Sequence, residues 1–155
     1  MKDDEDLFSG LSEEEKILLT HSLNCISPDD GKYWKSSRKL QPYLSAAAEW
    51  MACGLVQEKL LETRVEFGQA GKEHLDEVKA AFEHVNPANM SLLEDKVTKH
   101  DQLAVLEELG RYIRPETKAL LHPGTTSYDI LDTARSYLLK SAWKEVVRPK
   151  IAEAI

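Results

Sequence analysis

Pro42-Tyr43-Leu44-Ser45-Ala46-Ala47-Ala48-Glu49-Trp50-Met51-Ala52-Cys53-Gly54-Leu55 decides the fold class of this chain. After Pro42, residues Tyr43, Leu44, Ala47, Trp50, Met51, Gly54 and Leu55 recur at i, i+3, i+4, the period of one helix face. The same period appears on both sides of this stretch. Toward the N-terminus, Ser12-Glu13-Glu14-Glu15 forms a capping-box pattern ahead of Ile17, Leu18 and Leu19, with acidic residues suited to a helix start. Between the two, residues 24–39 hold Pro28, Gly31 and several serines without a period, which predicts a long polar loop. Toward the C-terminus, Leu75, Val78, Phe82 and Val85 share one face and stop at Asn86-Pro87. Leu93, Val97, His100, Leu103 and Ala104 predict a further helix that runs toward Tyr112 and breaks at Arg114-Pro115. A last helix carries Leu131, Ala134, Leu138, Ala142 and Val146. No segment alternates with period two and no repeat recurs at a fixed spacing. The expected fold is all-α.

Length and charge narrow the function. With 155 residues, 42% of them apolar and 30% charged, the chain can form one ordinary domain and is neither low-complexity nor disordered in bulk. Its 20 basic against 27 acidic residues leave −7, which disfavours nucleic acid or an anionic membrane as the main partner. A local pocket for one small anion is compatible with that charge. Cys25 and Cys53 form no CxxC pair, and Met1-Lys2-Asp3-Asp4-Glu5-Asp6 is acidic where a secretory leader would be basic. The longest apolar run, Trp50 to Val56, is far short of the roughly 20 residues a membrane span needs. These features predict a soluble cytoplasmic protein with reduced thiols. The apolar pattern of the last helix continues to Ile155 with no Gly or Asn stop signal, so the chain reads as part of something longer.

Three stretches stand out from the helical background. Ser27-Pro28-Asp29-Asp30-Gly31-Lys32-Tyr33 sets a cation and a hydroxyl side by side after a residue that permits a tight turn, either as an oxyanion contact or as a solvated turn. Thr98-Lys99-His100-Asp101 places His100 on the apolar side of a predicted helix, either as a satisfied core histidine or as a proton donor or acceptor in a cleft. His122-Pro123-Gly124-Thr125-Thr126-Ser127-Tyr128-Asp129 has capping-box spacing between Thr126 and Asp129. Its Gly and hydroxyls also suit a helix N-terminus that receives a carboxylate or phosphate. His21, His74, His84, His100 and His122 show no compact metal spacing, which argues against a metal site. No GxxxxGK[ST], GxGxxG or GxSxG occurs.

In this order, the three stretches resemble the N-terminal part of the adenylosuccinate lyase family, within the fumarase/aspartase superfamily. Thr98-Lys99-His100-Asp101 fits the family's Thr-x-His-Asp. His122 to Asp129 fits His-x-Gly-x-Thr-Ser-x-Asp, and Asp132-Thr133-Ala134 continues it. Ser27-Pro28 to Tyr33 is similar to Ser-Pro-x-Asp-Gly-Arg-Tyr, with Lys32 in place of Arg, so a bidentate phosphate fork becomes a point charge. Argininosuccinate lyases carry Ser-Arg-Asn-Asp where Thr126-Ser127-Tyr128-Asp129 stands. Carboxymuconate cycloisomerases share Thr-Ser-x-Asp but lack the upstream loop.

The resemblance implies a homotetrameric, cofactor-free enzyme of purine synthesis that splits adenylosuccinate, and the related succinyl-aminoimidazole ribotide, with release of fumarate. It implies that His100 assists proton transfer or orientation, with Lys99 and Asp101 beside it at the substrate. Thr126 and Ser127 would contact the succinyl carboxylate, and Lys32 and Tyr33 the nucleotide phosphate. Residues 1–121 would form the small helical N-terminal domain and 122–155 the start of the central helical bundle. The family's second catalytic His segment and its mobile Ser loop have no match in this sequence, so the chain alone is expected to be inactive. Two rival readings are a non-catalytic helical interaction module and a carboxymuconate cycloisomerase relative. A Ser-Ser-x-Met-Pro loop encoded beyond Ile155 would favour the enzyme.

Overall fold

The periodic stretches fold as helices in the computed structural model, which describes residues 6–27 and 29–155, and no strand occurs among them. The acidic residues 1–5 and Pro28 lie outside the described residues. In chain order the helices are α1 (Glu13–Asn24), α2 (Asp30–Ser37), α3 (Gln41–Leu44), α4 (Ala46–Glu66), α5 (Lys72–Ala81) and α6 (Pro87–Leu93). There follow a π-helical turn (Glu94–Thr98), α7 (Asp101–Gly110), α8 (Pro115–Lys118) and α9 (Ser127–Ala142). A second π-helical turn (Trp143–Val147) leads into α10 (Arg148–Ala154).

Local chemistry accounts for most boundaries. Ser12 and Glu15 form the expected capping box of α1, with the Ser12 N–H donating to Glu15 Oε2 at 2.9 Å. The apolar period after Pro42 is divided between two helices, because Ser45 is extended (φ −83, ψ 159) and its hydroxyl accepts the Ala48 N–H at 3.2 Å. Asn86 ends one segment and caps the next, accepting the Ala88 N–H at 2.9 Å. The long polar loop expected over residues 24–39 is incorrect, since α2 lies inside it. Buried Asp30 anchors that helix by accepting the Ile26 N–H at 2.7 Å. At Tyr33 the backbone leaves helical geometry (φ −112, ψ 24), which is why so short and interrupted a helix shows no period.

α4 is the centre of the fold. Leu61 and Gln57 on it are fully buried, and one apolar core joins Leu61 to Val78 of α5, Met90 of α6, Val105 and Leu109 of α7, and Ile130, Leu131, Ala134 and Leu138 of α9. At Gly54 a Cβ would meet the Phe82 ring at 3.0 Å, so the missing side chain lets the ring pack closely on α4. Arg135 clamps α9 to α4 through paired hydrogen bonds to Glu49 at 2.8 and 2.9 Å, a geometry that fixes orientation as well as distance.

α9 packs back on the rest of the chain. Of its apolar series Leu131, Leu138, Ala142 and Val146, the first three are buried within this chain and Val146 is half-buried. α4 supplies the cover from some 80 residues away in sequence. The opposite side of the C-terminal segment exposes Leu139 and Trp143. No helix of the described residues is long and apolar enough to cross a membrane.

Candidate functional site

His100 is the pivot of the site, and its setting differs from the one its spacing suggests. It lies outside helix: Lys99 is left-handed (φ 51), His100 is extended (φ −154, ψ 126), and α7 begins only at Asp101. Val97 and Leu103, which gave the apolar face its period, are exposed, and the His100 side chain is 44% exposed. The core-histidine alternative is therefore overturned. The ring instead caps α7, with Nδ1 accepting the Leu103 N–H at 3.4 Å. Asp101 Oδ1 lies 3.2 Å from the same nitrogen and accepts the Gln102 N–H at 2.6 Å.

The other ring nitrogen reaches across the fold. His100 Nε2 is 3.1 Å from Ser127 Oγ, a hydrogen bond that joins residues 27 apart and brings two helix starts together. Thr126 caps α9 in the expected capping box with Asp129: the Thr126 N–H donates to Asp129 Oδ2 at 2.7 Å, and Thr126 Oγ1 accepts the Asp129 N–H at 3.4 Å. Thr126 Oγ1 also donates to Asp129 Oδ2 at 3.1 Å, so its hydroxyl serves the cap. Ser127, one position on, presents its hydroxyl to His100. Helix starts carry unpaired N–H groups and the positive end of the helix dipole, so the junction of α7 and α9 suits a carboxylate. Thr126→Ala should lower stability by about 1 kcal/mol. Urea unfolding of the chain checks this, and an unchanged midpoint would remove the cap from the account.

The remaining sequence candidates fare differently. Lys99, itself the left-handed residue, has its ammonium 4.0 Å from Asp95 and its side chain largely exposed. Lys32 and Tyr33 lie exposed on α2, where the Lys32 ammonium sits 5.1 Å from the centre of the Tyr33 ring. Among the described residues, no hydrogen bond or ion pair joins either of them to His100 or Ser127. The structure therefore brings together His100, Asp101 and Ser127, with Thr126 alongside, and leaves Lys32 and Tyr33 apart.

His122, the first residue of its motif, has no role implied by the family resemblance. His122 has a left-handed backbone (φ 66), and its Nδ1 lies 2.8 Å from Gln57 Nε2 and 3.1 Å from Thr125 Oγ1. Burial holds its pKa below the ordinary histidine range, and the nearby His100 lowers it further. The signal that could have found it was its position just ahead of the α9 cap. Among the described residues, no group of three or more His, Cys, Asp or Glu side chains is arranged to hold a metal ion.

Comparison with known proteins gives no match to a family model and no match to a solved structure. Curated relatives do match. The adenylosuccinate lyase of Methanocaldococcus jannaschii is 30% identical over 129 residues, covering 82% of this chain and 25% of the relative. That of Bacillus subtilis is 33% identical over 116 residues, covering 74% of this chain and 24% of the relative. That of Legionella pneumophila (strain Corby) is 29% identical over 147 residues, covering 85% and 32%. This chain thus spans between about a quarter and a third of the length of these relatives. Its helical fold and sequence kinship define a lyase-like region. More narrowly, the chain is an adenylosuccinate lyase-like region, as its three motifs indicated.

Proposed function

We propose that this chain is the N-terminal region of a fumarate-releasing lyase that cleaves adenylosuccinate, and the related succinyl-aminoimidazole ribotide, by β-elimination. The observation that carries the reading is the 3.1 Å contact between His100 Nε2 and Ser127 Oγ at the start of α9. In the reaction, a base removes a proton from the carbon next to a succinyl carboxylate and the carbon–nitrogen bond breaks. A double bond forms to give fumarate, and an acid protonates the departing nitrogen. Charge that builds on the carboxylate in the transition state needs fixed donors, which the Ser127 hydroxyl and the first turn of α9 supply. His100 assists the proton transfer, with Asp101 at its second nitrogen, while Thr126 holds the helix start in place. Lys99 contributes a cation near the substrate. Lys32 and Tyr33 serve the nucleotide phosphate, in a position set by parts of the enzyme outside this chain.

In this reading, residues 1–121 form the N-terminal domain and 122–155 open the central bundle of a cytoplasmic homotetramer that needs no cofactor. The chain by itself should release no fumarate from adenylosuccinate, because groups that act as a unit lose nearly all activity when part is removed. An absorbance assay checks this, and robust fumarate release by the chain alone would overturn the shared-site reading. Binding is tested separately in the complete enzyme. Fumarate should raise its thermal midpoint, and Ser127→Ala should diminish that rise. Equal protection of both proteins would remove Ser127 from the carboxylate site.

A further inference from the structure

Gln57 sits at the middle of α4 with no exposed surface, yet it carries an amide into the apolar core. Its Nε2 lies 2.8 Å from His122 Nδ1, across 65 residues of sequence, while its Oε1 is buried with no partner. Burial of an amide is unfavourable unless its hydrogen bonds are made, so this single contact must account for the residue's presence. We propose that Gln57 is a positioning residue that fixes His122 in the tautomer with bare Nδ1 and protonated Nε2. Its relevance to catalysis rests on the lyase reading, whereas the tautomer itself does not.

The hydrogen-bond inventory supports this direction. A neutral imidazole has one donor and one acceptor nitrogen, and the partner of the first decides the state of the second. Thr125 donates its one hydroxyl proton to the His122 carbonyl at 2.7 Å, so its oxygen, 3.1 Å from Nδ1, supplies that nitrogen with no proton. Gln57 brings Nδ1 a donor of its own. Turned over, the Gln57 amide would leave both N–H groups unpaired in the interior, whereas the observed orientation leaves one N–H and the carbonyl oxygen unpaired. Unpaired buried N–H groups are the rarer of the two. The backbone around the ring is also held, since Arg64 Nη2 donates to the Pro123 carbonyl at 2.5 Å and the Thr125 N–H to the His122 carbonyl at 3.2 Å. The imidazole thus keeps Nε2–H as a fixed, uncharged donor, which suits an anionic group better than a ring that exchanges tautomers.

Long-range ¹H–¹⁵N spectra of the histidine-labelled chain at slightly alkaline pH read each ring nitrogen as bare or protonated. Wild-type His122 should show a bare Nδ1 and a protonated Nε2. Gln57→Met, which keeps the volume but removes the donor, should move the two nitrogen shifts toward each other as the tautomers mix. Gln57→Glu, which offers Nδ1 an acceptor, should draw a proton onto Nδ1. A protonated Nδ1 in the wild type would overturn the proposal without any variant, and so would a Gln57→Met spectrum identical to wild type at His122. If the methionine variant does not fold, the wild-type and Gln57→Glu spectra still decide it. Because the spectra report the ring and not the reaction, an absence of fumarate release bears only on the proposed function.

Discussion

In the complete enzyme, His100→Gln should lower turnover by about 10²-fold or more, the scale on which a positioned proton-transfer group acts. The ring joins Ser127 through Nε2 and caps α7 through Nδ1, so loss of activity in one variant could reflect either contact. His100→Asn separates them. Asparagine is among the best N-cap residues and cannot shuttle a proton as imidazole does. Both variants should therefore be impaired in kcat to a similar degree, while the asparagine variant keeps the thermal midpoint of the wild type. Steady-state kinetics and thermal unfolding of the two decide the matter. Activity within a few-fold of wild type in either would leave His100 as a cap and nothing more.

The second large effect concerns stability. Glu108 is fully buried on α7, where Oε1 accepts the Asn86 N–H at 3.0 Å, Oε2 accepts from the Asn89 side chain, and Arg111 lies 3.7 Å away. Glu108→Ala leaves two donors without an acceptor in the interior. At roughly 1–3 kcal/mol for each orphaned group, the loss should be about 3 kcal/mol or more. Burial raises the Glu108 pKa above the ordinary carboxylate range. The folded chain then binds the proton more tightly than the unfolded chain, so stability declines as pH rises from the unfolded pKa through the folded one. Below that window the contribution is fully present. Urea unfolding across mildly acidic to neutral pH should show this decline in the wild type and its absence in Glu108→Gln. A Glu108→Ala loss under 1 kcal/mol would mean that water replaces the carboxylate.

What the sequence made legible was local. The capping boxes at Ser12–Glu15 and Thr126–Asp129 use side chains three residues apart, and both form as read. The helical class followed from period alone. His100 was misplaced because Val97, His100, Leu103 and Ala104 keep helical spacing across a break made by Lys99. That residue has the left-handed backbone usually left to Gly or Asn, so no turn residue announced it. The His100 contact with Ser127 had no signal in the period, which carries no information about contacts 27 residues away; the family resemblance implied only that both lie at the substrate. α2 was hidden by serines and a glycine that usually mark a loop. The cover on α9 was invisible for another reason: periodicity shows that a helix has an apolar face but not which element meets it. Gln57 gave no signal, since a single polar residue within an apolar helix reads as one exposed position.

The pairing of α4 with α9 also sets a schedule for synthesis. About 75 residues separate the end of α4 from the end of α9. At ribosomal rates of roughly 5–20 residues per second, α4 waits about 4 to 15 s for the partner that covers it. During that interval α1, α3, α5, α6 and α7 can shelter only part of its apolar surface. The cover of α4 is thus complete only once a distant helix has been synthesised, and until then its apolar surface is open to the aggregation that chaperones guard against.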